Sequence, residues 1–191
     1  MYYSSSNFTI SSISAAVPSQ KLNREDFKKI YGEDLEKKLF LNSGVETRYF
    51  ANEDQTTINL SVKLAKEVFK KKQINPGELD ALIFITQSTD FVLPGGSFII
   101  HKELNLNSDC LCVDYNVGCS AYPIGLFQAS LLFNNPNIKK ILLIIGDTLS
   151  KYLDKENRGT YCLFGDGVSS TILENKKNNN QSYFNIKNDG K

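Results

Sequence analysis

Cys110-Leu111-Cys112-Val113-Asp114-Tyr115-Asn116-Val117-Gly118-Cys119-Ser120-Ala121 is the stretch from which the architecture is read. The apolar run Leu111 to Val113 reads as a strand, a glycine turn follows, and a helix-like run leaves from Ser120. A thiol at a strand-to-helix turn lies at a helix N-terminus. Free N–H groups and the positive end of the helix dipole favour thiolate there. That arrangement makes Cys119 a candidate nucleophile without a metal. A cysteine that forms thioesters also needs a base and an oxyanion site. The only histidine, His101, lies eighteen residues upstream of Cys119.

Outward from this stretch the pattern alternates. Leu79 to Thr86 and Ile141 to Ile145 read as buried strands, Gly95 to Leu104 as a helix, and Ser120 to Phe133 as a helix apolar nearly all round. Strand and helix in regular turn predict an α/β sheet with its parallel strands buried on both faces. Upstream, Thr57 to Lys72 is amphipathic: Leu60, Leu64, Ala65 and Val68 form its apolar stripe, and three lysines occupy its last turn. Asn23 reads as the cap of an earlier helix that Gly32 interrupts and that resumes to about Leu41. Phe8 to Val17 reads as a strand ended by Pro18, and Val45 to Ala51 as an extended segment. Downstream, Val168 to Leu173 and Ser182 to Ile186 are expected to form a β-hairpin around the polar loop Glu174 to Gln181. Its run Lys176 to Asn180 is expected to be a solvated tip.

Composition narrows the classes. The chain has 191 residues, enough for one domain with a sizeable core. A net charge of +1, with both signs interspersed, argues against a nucleic-acid partner. The longest aliphatic run, Ile141 to Ile145, is too short to span a bilayer. The first residues carry no basic region and no long apolar segment, so no secretory signal is expected. The four cysteines (Cys110, Cys112, Cys119 and Cys162) fit neither a disulfide framework nor a zinc site. These features predict a reduced cytoplasmic protein, with no metal and no cofactor.

Three segments in this order and spacing resemble the ketoacyl-acyl-carrier-protein synthase III family of the thiolase superfamily. They are Asp114 to Leu126 around Cys119, Asn157 to Val168, and Ser43 to Ala51. The pair Arg158-Gly159-Thr160 and Phe164-Gly165-Asp166-Gly167 is the most specific match, and the likeness runs from about Phe8 to Leu173. The resemblance implies an α/β thiolase-like fold, one half of the duplicated fold, with a mixed sheet and helices on both faces. Residues 1–191 would be the N-terminal domain bearing the nucleophilic cysteine, without the C-terminal half. The implied reaction is acyl transfer from a thioester to Cys119, then decarboxylative Claisen condensation with malonyl-acyl carrier protein. The family's catalytic His and Asn match no position here. Arg158 matches a nucleotide-contacting arginine. Leu93 stands where the family places a residue that reaches into the partner subunit's acyl pocket, although a proline-initiated helix start accounts for Leu93-Pro94 equally well. The implied partners are an acyl carrier protein, an acyl thioester on coenzyme A or a carrier, and a second copy in a homodimer.

The departures from the family pattern also carry information. Family members that use coenzyme A often have a Trp six residues before the glycine equivalent to Gly44, and an Arg two after it. Here those positions are Lys38 and Glu46, and the chain has no Trp. A glutamate repels a phosphorylated nucleotide, so a carrier-protein donor is favoured. Two other readings stay open: a non-catalytic thiolase-fold subunit that binds a partner chain or acyl carrier protein, and a polyketide or hydroxymethylglutaryl-type condensing enzyme. Among the remaining residues, Cys110, Cys112 and Cys162 read as structural, and His101 as a surface or helix-packing residue. Gly165-Asp166-Gly167 reads as a tight turn, and Asp147 as a loop cap at the carboxyl end of a strand.

Overall fold

The computed structural model describes residues 1–154, 157–176 and 181–190. The strands are β1 (Tyr2–Ser5), β2 (Thr9–Ala16), β3 (Gln20–Asn23), β4 (Thr47–Phe50), β5 (Ala81–Ile85), β6 (Leu111–Tyr115), β7 (Lys140–Asp147), β8 (Gly167–Glu174) and β9 (Ser182–Asn185). The helices are α1 (Arg24–Tyr31), α2 (Glu33–Ser43), α3 (Thr57–Lys72), α4 (Gly96–Leu104), α5 (Ala121–Leu132) and the single turn α6 (Arg158–Tyr161). Five strands form the central sheet in the order β2-β8-β7-β5-β6. β5 runs parallel to both β6 and β7, whereas β8 runs antiparallel to both β7 and β2. The sheet is therefore mixed, as expected.

Helices on both faces explain why β5 and β7 read as continuous apolar runs. Successive side chains of a strand point to opposite faces. Leu82 and Phe84 of β5, with Leu142 and Ile144 of β7, pack with Ile58, Leu64 and Val68 of α3 and Ile100 and Leu104 of α4. Ala81, Ile83 and Ile85, with Ile141 and Leu143, pack on the opposite side with Ala121 and Ala129 of α5 and with Phe133. Close helix approach needs small residues. A methyl group on Gly96 would come within 2.6 Å of the Phe84 ring, and one on Gly125 within 2.7 Å of Leu143.

The local signals read from sequence are met. Asn23 closes a capping box with Asp26 at the start of α1, and Thr56 caps α3 through the Asn59 N–H. Lys70, Lys71 and Lys72 fill the last turn of α3, where cations complement the helix dipole. Gly32 lies at φ 89° between α1 and α2, and Gly44 at φ 65° ends α2.

The expected C-terminal β-hairpin does not form. β8 already has β2 on one edge and β7 on the other, so no edge remains for β9. β9 pairs antiparallel with β1 instead, from Tyr2 opposite Asn185 to Ser5 opposite Ser182. Of the polar run Lys176 to Asn180, residues 177–180 lie outside the described residues. The β1–β9 ribbon lies over α5: Tyr3 meets Phe127 edge-on at 5.6 Å, and Phe127 meets Phe184 at the same separation. The ribbon thus gives α5 aromatic cover, while Pro123 and Leu131 stay exposed. β3 pairs with β4 in a third small sheet. With α1 and α2 it is anchored by a separate cluster of Phe27, Phe50 and Cys162, and Phe50 stacks on Tyr161 at 5.5 Å.

Candidate active site

The carboxyl ends of β5, β6 and β7 meet at one rim of the sheet. β6 delivers the chain to Gly118 and Cys119, and α5 begins two residues beyond the thiol. The Ala121 N–H donates to the Gly118 carbonyl at 2.9 Å, which closes a tight turn under Cys119. Cys119 is exposed; Cys110 and Cys162 are buried, and Cys112 is half-buried. A cleft of about 250 Å³ opens beside the turn, between Ser120, Pro123 and Ile124 of the helix start and residues 183–188.

Two carboxylates fix the loops around this turn. Asp147, at the end of β7, accepts the Gln87 N–H at 2.7 Å, the Ser88 N–H at 3.0 Å, and the Thr86 and Ser88 hydroxyls at 2.9 Å. It is the loop cap expected from its position. Behind it Thr57, Ser88 and Thr148 form a buried hydroxyl network. Asp114, on β6 itself, accepts the Ser97 N–H at 2.9 Å and the Ser97 hydroxyl, so the strand that leads to Cys119 holds the start of α4. This link spans seventeen residues and has no local signature in the sequence.

Leu93 lies in the loop that leads into α4, and it is 86% exposed. Its neighbours Phe91 and Val92 are exposed as well, so three consecutive apolar side chains project from this loop. The Leu93–Pro94 peptide is cis, and Pro94 lies outside the helix, with Gly95 as N-cap and Gly96 as the first helical residue. The proline-initiated helix start is therefore not what this segment forms. Arg158 opens the single turn α6, and its side chain lies outside the described residues.

The remaining residues singled out in the sequence take structural positions. Gly165 and Gly167 are absent from the glycines of positive φ, which among the described residues are Gly32 and Gly44. Gly167 serves instead for close approach, since a methyl group there would come within 3.3 Å of the Ala16 carbonyl oxygen. Asp166 between the two glycines is buried and accepts the Ala51 N–H at 2.7 Å, the Ser150 N–H at 3.0 Å and the Ser150 hydroxyl. It ties the end of β4 to the segment after β7. His101 meets the Asn107 carbonyl at 2.9 Å through Nε2. A hydrogen bond from the Cys110 thiol lowers the Cys112 thiol to about 7, while that pairing and burial push Cys110 up. Among the described residues no group of three or more His, Cys, Asp or Glu is arranged to hold a metal ion.

Residues 113–190, which include the Cys119 turn and the Arg158 and Gly165 segments, match the family model for 3-oxoacyl-[acyl-carrier-protein] synthase III. A Campylobacter jejuni protein named as a candidate 3-oxoacyl-[acyl-carrier-protein] synthase 3 is 36% identical over 185 residues, covering 95% of this chain and 52% of its own. A beta-ketoacyl-[acyl-carrier-protein] synthase III of Fusobacterium nucleatum is 31% identical over 157 residues, 82% of this chain and 47% of its own. This chain belongs to the 3-oxoacyl-[acyl-carrier-protein] synthase III family. The fold agrees. The crystal structure of a Burkholderia xenovorans 3-oxoacyl-(acyl-carrier protein) synthase superposes with a TM-score of 0.91 at 28% identity, over 96% of this chain and 52% of that one. The chain spans about half the length of the curated relatives it matches. Among the described residues no helix is long and apolar enough to cross a membrane.

Proposed function

We propose that this chain is the nucleophile-bearing part of a condensing enzyme of the ketoacyl-acyl-carrier-protein synthase III type. One observation carries the reading: of the four thiols, only Cys119 is exposed, and it sits on the strand-to-helix turn at the rim where β5, β6 and β7 end. In open α/β sheets ligands bind at the carboxyl ends of strands. The Cys119 thiol gives up its proton and its thiolate attacks the carbonyl of an acyl thioester; the carbonyl–sulfur bond to the carrier breaks, the carrier thiolate leaves and takes up that proton, and the acyl group stays on the Cys119 sulfur. Malonyl-acyl carrier protein then loses carbon dioxide, and the resulting carbanion takes up the acyl group.

That second step needs donors that stabilise an enolate-like charge, and the family's His and Asn have no matching position in this sequence. A second half-fold, in the same polypeptide or in another, would supply them. Arg158 would contact the donor's carrier. The three exposed apolar side chains at Phe91 to Leu93 fit a loop that is covered by a second copy, with Leu93 entering the acyl pocket of the partner subunit in a homodimer. Lys38 and Glu46 favour a donor on acyl carrier protein over coenzyme A. No observation raises the non-catalytic subunit or the polyketide and hydroxymethylglutaryl readings above this one.

Intact-mass spectrometry after incubation with an acyl-acyl carrier protein tests the first step. An adduct of one acyl group that disappears in Cys119→Ala is the expected result; an adduct retained in that variant rejects the assignment. Mixed with malonyl-acyl carrier protein and a donor, the 191-residue chain is expected to stay below enzyme-like turnover of about 1 per second.

A further inference from the structure

We infer that Gln87 recognises the acyl group and selects for a polar substituent, such as a hydroxyl or carbonyl on the third carbon; this rests on the reading of Cys119 as the nucleophile. A methyl group placed on Gly118 would come within 3.1 Å of both the Gln87 nitrogen and the Gln87 oxygen, so the carboxamide lies across the Gly118 backbone. The Cα of the next residue, Cys119, is about 3.8 Å further along the chain. An acyl group on the Cys119 sulfur would therefore have its first carbons within reach of this carboxamide.

The backbone of Gln87 is not free to retreat. Its N–H is held by Asp147 at 2.7 Å, and Asp147 also fixes Thr86 and Ser88 on either side. The side chain, by contrast, is exposed, and its amide has no hydrogen-bond partner among the described residues. A carboxamide offers two donors and one acceptor. Water satisfies them while the rim is open. When an acyl group covers the rim, a plain hydrocarbon leaves the amide unpaired, which is costly, whereas a hydroxyl or carbonyl replaces the lost water. A site that hydrogen-bonds a substrate group discriminates against analogues lacking it more sharply than an apolar site discriminates by size.

The test uses the 191-residue chain with butyryl and 3-hydroxybutyryl thioesters of N-acetylcysteamine, which removes carrier recognition from the comparison. Transfer forms the Cys119 thioester and releases N-acetylcysteamine as its thiol, with the proton passing to that leaving sulfur. Acylation is followed by intact mass. The unchanged chain is expected to take 3-hydroxybutyryl about tenfold faster than butyryl, and Gln87→Leu to reverse the order. Iodoacetamide labelling of Cys119 should proceed at the same rate in both proteins, which separates acyl recognition from damage to the thiol or its turn. Equal acylation by both donors, or an unchanged ratio in Gln87→Leu, overturns the role of Gln87 and leaves the nucleophile in place. No acylation by either donor, with iodoacetamide labelling intact, overturns the condensing-enzyme reading and the role of Gln87 together.

Discussion

β5 and β6 are parallel neighbours in one sheet, both are five residues long, and both carry apolar runs, yet they live in different environments. Every side chain of β5 is buried; on β6 Leu111 is 43% exposed and Asp114 is exposed too. β5 has β7 on its other edge and helices on both faces. β6 has a free edge among the described residues. The interior strand lies in the core, and the edge strand carries the Asp114 anchor and Cys112 and leads to the Cys119 turn. Burial is thus a property of a strand's place in the sheet, not of its composition.

The largest effect that could break this contrast is in the core. Phe84→Ala removes a ring wedged between α3 and α4 and should cost about 3–5 kcal/mol. Leu111→Ala on β6 should cost under about 1 kcal/mol in a monomer, because much of that side chain is already in water. Urea unfolding of both variants measures the difference. If two chains pair through the free edge of β6, the Leu111→Ala penalty grows with protein concentration. Light scattering on the purified chain then shows a dimer.

Next is the tie between the small β3–β4 sheet and the main one. Asp166→Ala strands the Ala51 and Ser150 N–H groups and should cost about 3 kcal/mol. If thermal unfolding of this variant stays as stable as the parent, the β3–β4 region is held by its aromatic cluster and not by the carboxylate.

The smallest effect is on reactivity. Limited iodoacetamide treatment with peptide mapping should label Cys119 first, because it alone is exposed. Cys112 should follow, with a rate that rises through pH about 7, since only the thiolate reacts. In Cys110→Ala the hydrogen bond that favours the Cys112 thiolate is gone, so that rise should move to higher pH. Labelling of Cys112 ahead of Cys119 at neutral pH would make the edge strand, not the turn, the reactive region.

Much of the fold was legible in the residues. The 3.6-residue stripe of Thr57 to Lys72 gave that helix to the residue, and the capping pattern at Asn23 and the glycine at position 32 placed α1 and α2. β1 and β3 were missed, since each is four residues long and has no strong apolar alternation. The site was legible at Cys119, where strand, glycine turn and helix adjoin in sequence. Gln87 was not, because its contact with Gly118 joins residues thirty-one apart.

The sequence by itself determined the alternation of strand and helix, the turn that presents Cys119, and the family these share, because each is written in neighbouring residues or fixed spacings. Only the tertiary structure decided that β9 pairs with β1 and not with β8, that Asp114 and Asp147 hold the loops around the thiol, and that Cys119 is the exposed one of four cysteines. The physical reason is the same in each case. A strand's partners and a carboxylate's donors come from whichever segments packing brings alongside, and a pairing already made at both edges leaves no place for the partner nearest in sequence.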